Sequence, residues 1–193
     1  GVFLTASAGY KGFLYLDGSY RLDWNSTANP ESNRIQTLGS SLSFLAHELL
    51  PANQTLTFFK IRAGYAEAPT FPDPYKISAV YGVGTLYQGN GRLSVASQQE
   101  NPNLTGGVRG EFEIGTELRF FESKIGLDIS YFDRNDTDIP ILVPLDGSTG
   151  YSSIIVNSGK QTSSGLEIGL SGDVISGKDF KWDLSVNFAT LNR

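Results

Sequence analysis

Glu111, Glu113 and Glu117 fall at odd positions on one stretch of chain, with Arg119 continuing the series. Paired carboxylates are the acid and base of glycoside hydrolysis, so this spacing raises a catalytic reading. A catalytic pair also needs a pocket and an environment that pushes the two groups apart in acidity, and nothing around these residues supplies one. They read better as solvated carboxylates paired with Arg119 or with cations of a neighbouring strand, and no catalytic residue is assigned. Asp133-Arg134-Asn135-Asp136-Thr137-Asp138 resembles a calcium loop, but it lacks the Gly needed for the sharp turn, and Pro144 stands where the closing Glu belongs. A strand end running into a solvated loop is favoured; a loop calcium site stays open, and no other cofactor or metal is expected.

Other candidate chemistry is thinner. His47 is the only histidine and there is no cysteine, which removes thiol catalysis, Cys-ligated zinc and multi-His sites. His47 lies beside Glu48 and Pro51 and reads as a polar turn residue. Gly82-Val83-Gly84 and Gly89-Asn90-Gly91 lack the Lys and following helix of a phosphate loop, so turn geometry accounts for them. Asn25, Asn53, Asn103 and Asn135 each open an Asn-x-Ser/Thr triplet and fall in expected connections. Tyr75, Tyr81, Tyr87 and Tyr151 fall in long connections, where exposed rings can stack on sugars or peptide side chains, or simply pack the loop.

The elements that would carry these residues are strands. Phe112, Ile114, Thr116, Leu118 and Phe120 alternate with Glu111, Glu113, Gly115, Glu117 and Arg119, which makes one face apolar and the other charged. Ile125, Leu127, Ile129 and Tyr131 alternate with Gly126, Asp128, Ser130 and Phe132. Leu166, Ile168 and Leu170 alternate with Glu167, Gly169 and Ser171, and Trp182 to Phe188 repeats the pattern. Thr57, Phe59, Ile61, Ala63 and Tyr65 oppose Phe58, Lys60, Arg62 and Gly64. With 2–9, 13–23, 34–45 and 55–66 the count is roughly eight strands. Lys60, Arg62, Glu111, Glu113, Glu117, Arg119, Asp128 and Glu167 are thereby assigned to a wet interior face. One single turn of helix is expected near Leu45–Leu50, stopped by Pro51.

The connections alternate between short (10–12, 122–124, 174–179) and long (25–33, 67–110, 134–163), with 46–54 intermediate. All long loops then lie at one end of an up-and-down sheet, the asymmetry of outer-membrane barrels. Several strands reach about 10–12 residues, beyond the usual soluble length and enough to cross hydrocarbon at a tilt. Phe120, Phe121, Phe180, Trp182, Tyr10 and Phe13 gather at the tight turns, as interfacial rings do. The chain of 193 residues is 39% hydrophobic and 18% charged, with Gly 22 and a formal charge of −5. That supports one domain with a core, and the charge argues against nucleic acid as partner. The mean hydropathy of −0.17 decides nothing, because a barrel strand shows lipid only every second side chain. No run is long enough for a membrane helix. The opening Gly1-Val2-Phe3-Leu4 has no leader pattern and begins as if inside a strand, so a segment of something longer is expected.

The residues also carry a family likeness. Tyr131-Phe132-Asp133, Thr137-Asp138-Ile139, Leu142-Val143-Pro144, Gly147 to Gly150, Asn157-Ser158-Gly159 and Ser164-Gly165-Leu166-Glu167 follow one another in the order seen in the later barrel of the SusC/RagA family of TonB-linked outer membrane proteins. Asn101-Pro102-Asn103-Leu104 is similar to the element that precedes a barrel strand in TonB-dependent receptors, and Tyr10-Lys11-Gly12 with the run to Asn33-Arg34 resembles an earlier hairpin. Two departures are local: Thr105 to Gly110 delay the Glu after Leu104, and Ser163-Ser164 replace the usual Asn-Lys/Arg.

The resemblance implies an all-β, antiparallel, up-and-down transmembrane barrel of about 22 strands, of which residues 1–193 would supply about eight consecutive ones. It implies a plug domain and a TonB box, neither visible in this chain, a SusD-type surface lipoprotein, and energised import of oligosaccharides or oligopeptides across a bacterial outer membrane. The 67–110 and 134–163 loops would then contribute to substrate capture. Two alternatives stay open: a self-closed eight-stranded structural or adhesion barrel, and a soluble carbohydrate-binding β-sandwich. If the wall reading holds, Leu127→Arg or Leu184→Arg should cost about 2–4 kcal/mol near the bilayer midplane and Asp128→Arg much less.

Overall fold

In the computed structural model, which describes residues 1–51 and 54–193, strands dominate. Asn53 lies outside the described residues. The strands are β1 (Val2–Tyr10), β2 (Leu14–Trp24), β3 (Arg34–Leu45), β4 (Leu56–Thr70), β5 (Tyr81–Tyr87), β6 (Asn90–Val95), β7 (Gln98–Gln99), β8 (Gly107–Phe120), β9 (Ile125–Pro144), β10 (Ser153–Ser176) and β11 (Lys181–Ala189). The main sheet runs β1-β2-β3-β4-β8-β9-β10-β11, with every neighbouring pair antiparallel. It is an up-and-down wall, interrupted between β4 and β8 by the separate β5-β6 hairpin and by β7. The short β7 adds in parallel beside the start of β10.

The register carries the alternation across strand after strand. Phe59↔Leu118↔Leu127↔Leu170↔Val186 and Ile61↔Thr116↔Ile129↔Ile168↔Phe188 form two rows of one face. Because side chains alternate strictly, a slip of one residue anywhere would turn such a row inside out. These rows are not a protein core. Ile114, Leu170, Leu184, Val186 and Phe188 are each about half exposed, and among the described residues the buried apolar ones are Ala28, Ile35, Ala46 and Leu104. An apolar surface of that extent needs a non-aqueous neighbour.

Aromatic rings bound it on two sides. At the tight-turn end stand Tyr10, Phe13 and Phe44 in edge contact, then Phe120, Phe121, Phe180 and Trp182. At the far end stand Tyr65, Phe112 and Tyr131 on adjacent strands, all exposed. The nine residues from Phe112 to Phe120 rise about 26 Å along the strand, or about 20 Å across the membrane at a tilt of about 40°, near the roughly 25 Å apolar band of an outer-membrane barrel. Only the first of these girdles was apparent in the sequence.

Two expectations are corrected here. The 134–163 stretch is not a loop: β9 continues to Pro144 and β10 begins at Ser153, so a hairpin extends past the second girdle and the connection shrinks to 145–152. Likewise 67–110 contains the end of β4, the β5-β6 hairpin, β7 and the start of β8. The sheet ends at β1 and β11, which do not pair with each other, so these strands do not close an eight-stranded barrel. Among the described residues no second sheet covers the apolar rows, which stay exposed, unlike the inner faces of a soluble sandwich. The expected helical turn is a 3-10 turn at Ala46–Leu49, in which the His47 ring lies 4.6 Å from that of Phe58 and its Nδ1 is 3.2 Å from the Phe59 carbonyl.

Candidate functional site

The face opposite the apolar rows carries the charges. The register puts Lys60, Arg62, Glu111, Glu113, Glu117, Arg119, Asp128 and Glu167 all on it, joined by Arg109, Arg134 and Asp136. On β4, β8 and β9 the charges pair. The Arg62 guanidinium donates to both Asp128 oxygens at 2.7 and 2.9 Å and to Glu113 at 3.2 Å. Arg134 holds Glu111 at 2.6 Å, and Arg119 holds Glu117 at 2.6 Å while lying 4.8 Å above the Phe58 ring. Lys60 and Glu117 stand opposite each other in register. Five cations (Lys60, Arg62, Arg109, Arg119, Arg134) therefore face five carboxylates (Glu111, Glu113, Glu117, Asp128, Asp136) in a column without net charge. Between β1 and β3 the same face is hydroxyl-lined, with Asp17 accepting from Ser7 at 2.6 Å and Ser41 at 3.2 Å.

Arg62 on β4 reaches Asp128 on β9 by crossing β8, and Gly115 is what lets it pass. A Cβ on Gly115 would sit 2.9 Å from the guanidinium carbon of Arg62 and 3.0 Å from the Ile129 carbonyl oxygen. Gly115→Val should displace the arginine from Asp128 and cost about 1–3 kcal/mol by overpacking. The denaturant midpoint of the full-length protein in vesicles measures it, and an unchanged midpoint would mean the arginine is free to swing aside.

Beyond the Tyr65-Phe112-Tyr131 girdle, the connections are tied together. Asn101-Pro102-Asn103-Leu104 forms a clasp: the Asn101 side chain donates to the Ile155 carbonyl at 2.9 Å, and the Leu104 carbonyl accepts from Asn29 N–H at 2.7 Å. The Leu104 side chain is fully buried. Asn157 completes the clasp by accepting from Thr105 N–H at 2.8 Å and donating to the Thr105 carbonyl at 2.9 Å, as a strand neighbour would. Its register shift is where Gly159 lies against Ile139 and Ile141, with no room for a side chain. The Asn-Pro-Asn-Leu and Asn-Ser-Gly pieces noticed in the sequence are thus two halves of one joint.

Between the girdle and the clasp, Arg109 and Asp136 form a bidentate pair at 2.8 Å on both arms, with Asp136 buried. The hydrogen bonds from Arg109 hold the Asp136 carboxyl below the ordinary carboxylate range, against the opposing effect of burial. A carboxyl whose folded value is depressed stabilises the fold above its unfolded value, about 3.9, and loses that contribution only as pH falls through the lower folded value. Loop-end order should therefore persist through pH 4 and weaken below it, while Asp136→Asn should abolish that acid step. Amide exchange of the 107–111 and 134–138 backbone across pH reads both. From Asp133 to Thr137 the chain is extended strand, so Asp133 and Asp136 of the suspected calcium loop point to opposite faces, and Asp136 is taken up by Arg109.

The four tyrosines separate. Tyr75, Tyr81 and Tyr151 line one groove of about 190 Å³ together with Lys76, Gln98 and Glu100. Tyr87 sits elsewhere, at the tip of the β5-β6 hairpin beside the tight Gln88-Gly89 turn. The groove is fixed by backbone bonds between distant segments: Asn101 N–H to the Lys76 carbonyl at 2.9 Å, and Ser152 N–H to the Ser97 carbonyl at 2.7 Å. Among the described residues no cluster of three or more His, Cys, Asp or Glu forms a metal-binding group.

A strand wall with one face for lipid, one paired polar face and tied connections at a single end defines a segment of an outer-membrane β-barrel. The chain belongs to the TonB dependent receptor-like β-barrel family, which it matches over residues 1–193, and it resides in the bacterial outer membrane. It is 30% identical over 145 residues to TonB-dependent receptor P3 of Formosa agariphila, covering 72% of this chain and 14% of that protein. TonB-dependent receptor P26 of the same organism is 25% identical over 137 residues, covering 67% of this chain and 13% of the relative. The chain thus spans about a seventh of the curated relatives it matches. In fold it is similar to the RagAB peptide importer in the closed-closed state, with TM-score 0.87 at 21% identity over 98% of this chain and 21% of that one. It is also similar to the siderophore receptor PirA from Pseudomonas aeruginosa, with TM-score 0.64 at 17% identity over 99% of this chain and 34% of that one. The strands thus have the SusC/RagA-like arrangement that the sequence motifs implied.

Proposed function

We propose that this chain is part of the wall and the capture loops of an energised importer that takes oligosaccharides or oligopeptides across the outer membrane. The observation that carries this reading is the two-faced sheet. Its apolar rows lie between two aromatic girdles, its charge column is paired laterally, and its structured connections gather at one end. In this reading the charged face looks into the lumen toward a plug domain, and Lys60, Arg62, Glu111, Glu113, Glu117, Arg119, Asp128 and Glu167 line it. The tight turns face the periplasm, and the clasped connections face the outside.

The remaining strands and the plug come from the rest of the same protein, which supplies the contact with TonB. A SusD-type surface lipoprotein covers the outer opening. The wall makes and breaks no covalent bond: it holds position in lipid while the plug moves. A strain lacking the full-length gene should lose uptake of the nutrient, regain it with the gene in trans, and lose it again when an uncoupler collapses the proton gradient. Uptake that survives both gene loss and uncoupling would overturn the reading.

A further inference from the structure

We infer that the groove of Tyr75, Tyr81 and Tyr151 is a binding site for one ring of a neutral glycan, a reading that rests on the import function and names its substrate class. Tyr75 and Tyr81 from one connection and Tyr151 from a distant one line a space of about 190 Å³, smaller than the roughly 300–1,000 Å³ of drug-sized pockets. Tyr75 is 76% exposed and sits at φ 64°, a backbone region a bulky residue occupies only when its surroundings hold it there. An exposed ring held at a backbone cost is poised for a ligand rather than for packing.

The polar groups fit the same ligand. Lys76 Nζ donates to Gln98 Oε1 at 2.8 Å, which leaves the Gln98 Nε2 as a donor without a protein partner among the described residues. Glu100 supplies acceptors beside it. Aromatic faces for the C–H side of a sugar, with an amide donor and a carboxylate acceptor for its hydroxyls, make a complementary set. One lysine and one glutamate leave the groove without net charge, so a neutral glycan suits it better than a polyanionic one.

The test is calorimetric titration of the full-length protein, purified with its accompanying subunits, using β-linked glucan, xylan and mannan hexasaccharides and, in parallel, mixed hexapeptides. One or more saccharides should bind. Tyr75→Ala, Tyr81→Ala and Tyr151→Ala should each weaken binding by about tenfold, the Tyr→Phe series should keep it, and Tyr87→Ala should leave it unchanged. Absence of saccharide binding overturns the inference, as does equal loss in the Phe and Ala series or an equal loss at Tyr87. If an Ala variant fails to assemble, the Phe series and Gln98→Leu decide, the latter being expected to lower affinity. Energised uptake of peptides without saccharide binding would sink the groove assignment alone, whereas absence of energised uptake of any nutrient would sink the import reading beneath it.

Discussion

Leu127→Arg in the full-length protein is expected to destabilise the inserted barrel by about 2–4 kcal/mol. Leu127 is in the middle of the β9 lipid row, between Ile125 near the tight turn and the girdle ring of Tyr131, with Leu118 and Leu170 beside it on the neighbouring strands. A guanidinium there has no paired partner and no water. Leu184→Arg should cost less, toward the roughly 0–1 kcal/mol of interfacial sites, because Leu184 is next to the girdle residue Trp182 at its own turn. Asp128→Arg, which the face pattern alone marks as tolerant, is not: it would set a cation against Arg62 and break the bidentate pair. Ser185→Arg is the better control, since Ser185 shares the polar face and makes no side-chain ion pair. Denaturant unfolding from vesicles measures all four. Equal midpoints for Leu127→Arg and Ser185→Arg would remove the assignment of the two faces.

Leu104→Ala should be nearly as costly but confined to the loop end. Leu104 is fully buried, and truncating such a leucine costs about 2–5 kcal/mol through lost transfer energy and the cavity left behind. The clasp it anchors lies beyond the lipid band, so the barrel should keep its denaturant midpoint while the clasp opens locally. Amide exchange at Asn29, Leu104 and Thr105 should quicken by about thirtyfold or more, with the Ile125–Tyr131 amides unchanged. No change at Asn29 would mean that the Leu104 side chain contributes nothing to the joint with the 25–33 connection.

The strands within lipid were legible in the sequence for a physical reason: one face meets hydrocarbon and the other water, so the period of two is written into Phe112 to Phe120 and Ile125 to Tyr131. Past the girdle both faces are wet and the requirement lapses. Arg134 to Asp138 are all polar, and Ile139 to Pro144 hold two prolines, so a long strand there looked like a loop. The girdle of Tyr65, Phe112 and Tyr131 was hidden because its members look like ordinary face residues until the register aligns them. The charge column was half visible. The residue types on each strand were plain, but which arginine meets which carboxylate depends on a pairing between chains of residues far apart. The tyrosine groove needs the pairing of β7 with β10 and the bond from Asn101 to Lys76, neither of which any local pattern encodes.

The reach of Arg62 over Gly115 has a bearing on how such a protein can diverge. Arg62 and Asp128 are separated by 66 positions along the chain, with Gly115 beneath the crossing. A lysine in place of the arginine would give up the two-pronged hold, and a side chain in place of the glycine would press on the guanidinium and push it from its path. Descendants of this sequence should therefore tend to exchange the three positions as a set, with a bulkier residue at 115 accompanied by a shorter one at 62 and the loss of the acid at 128.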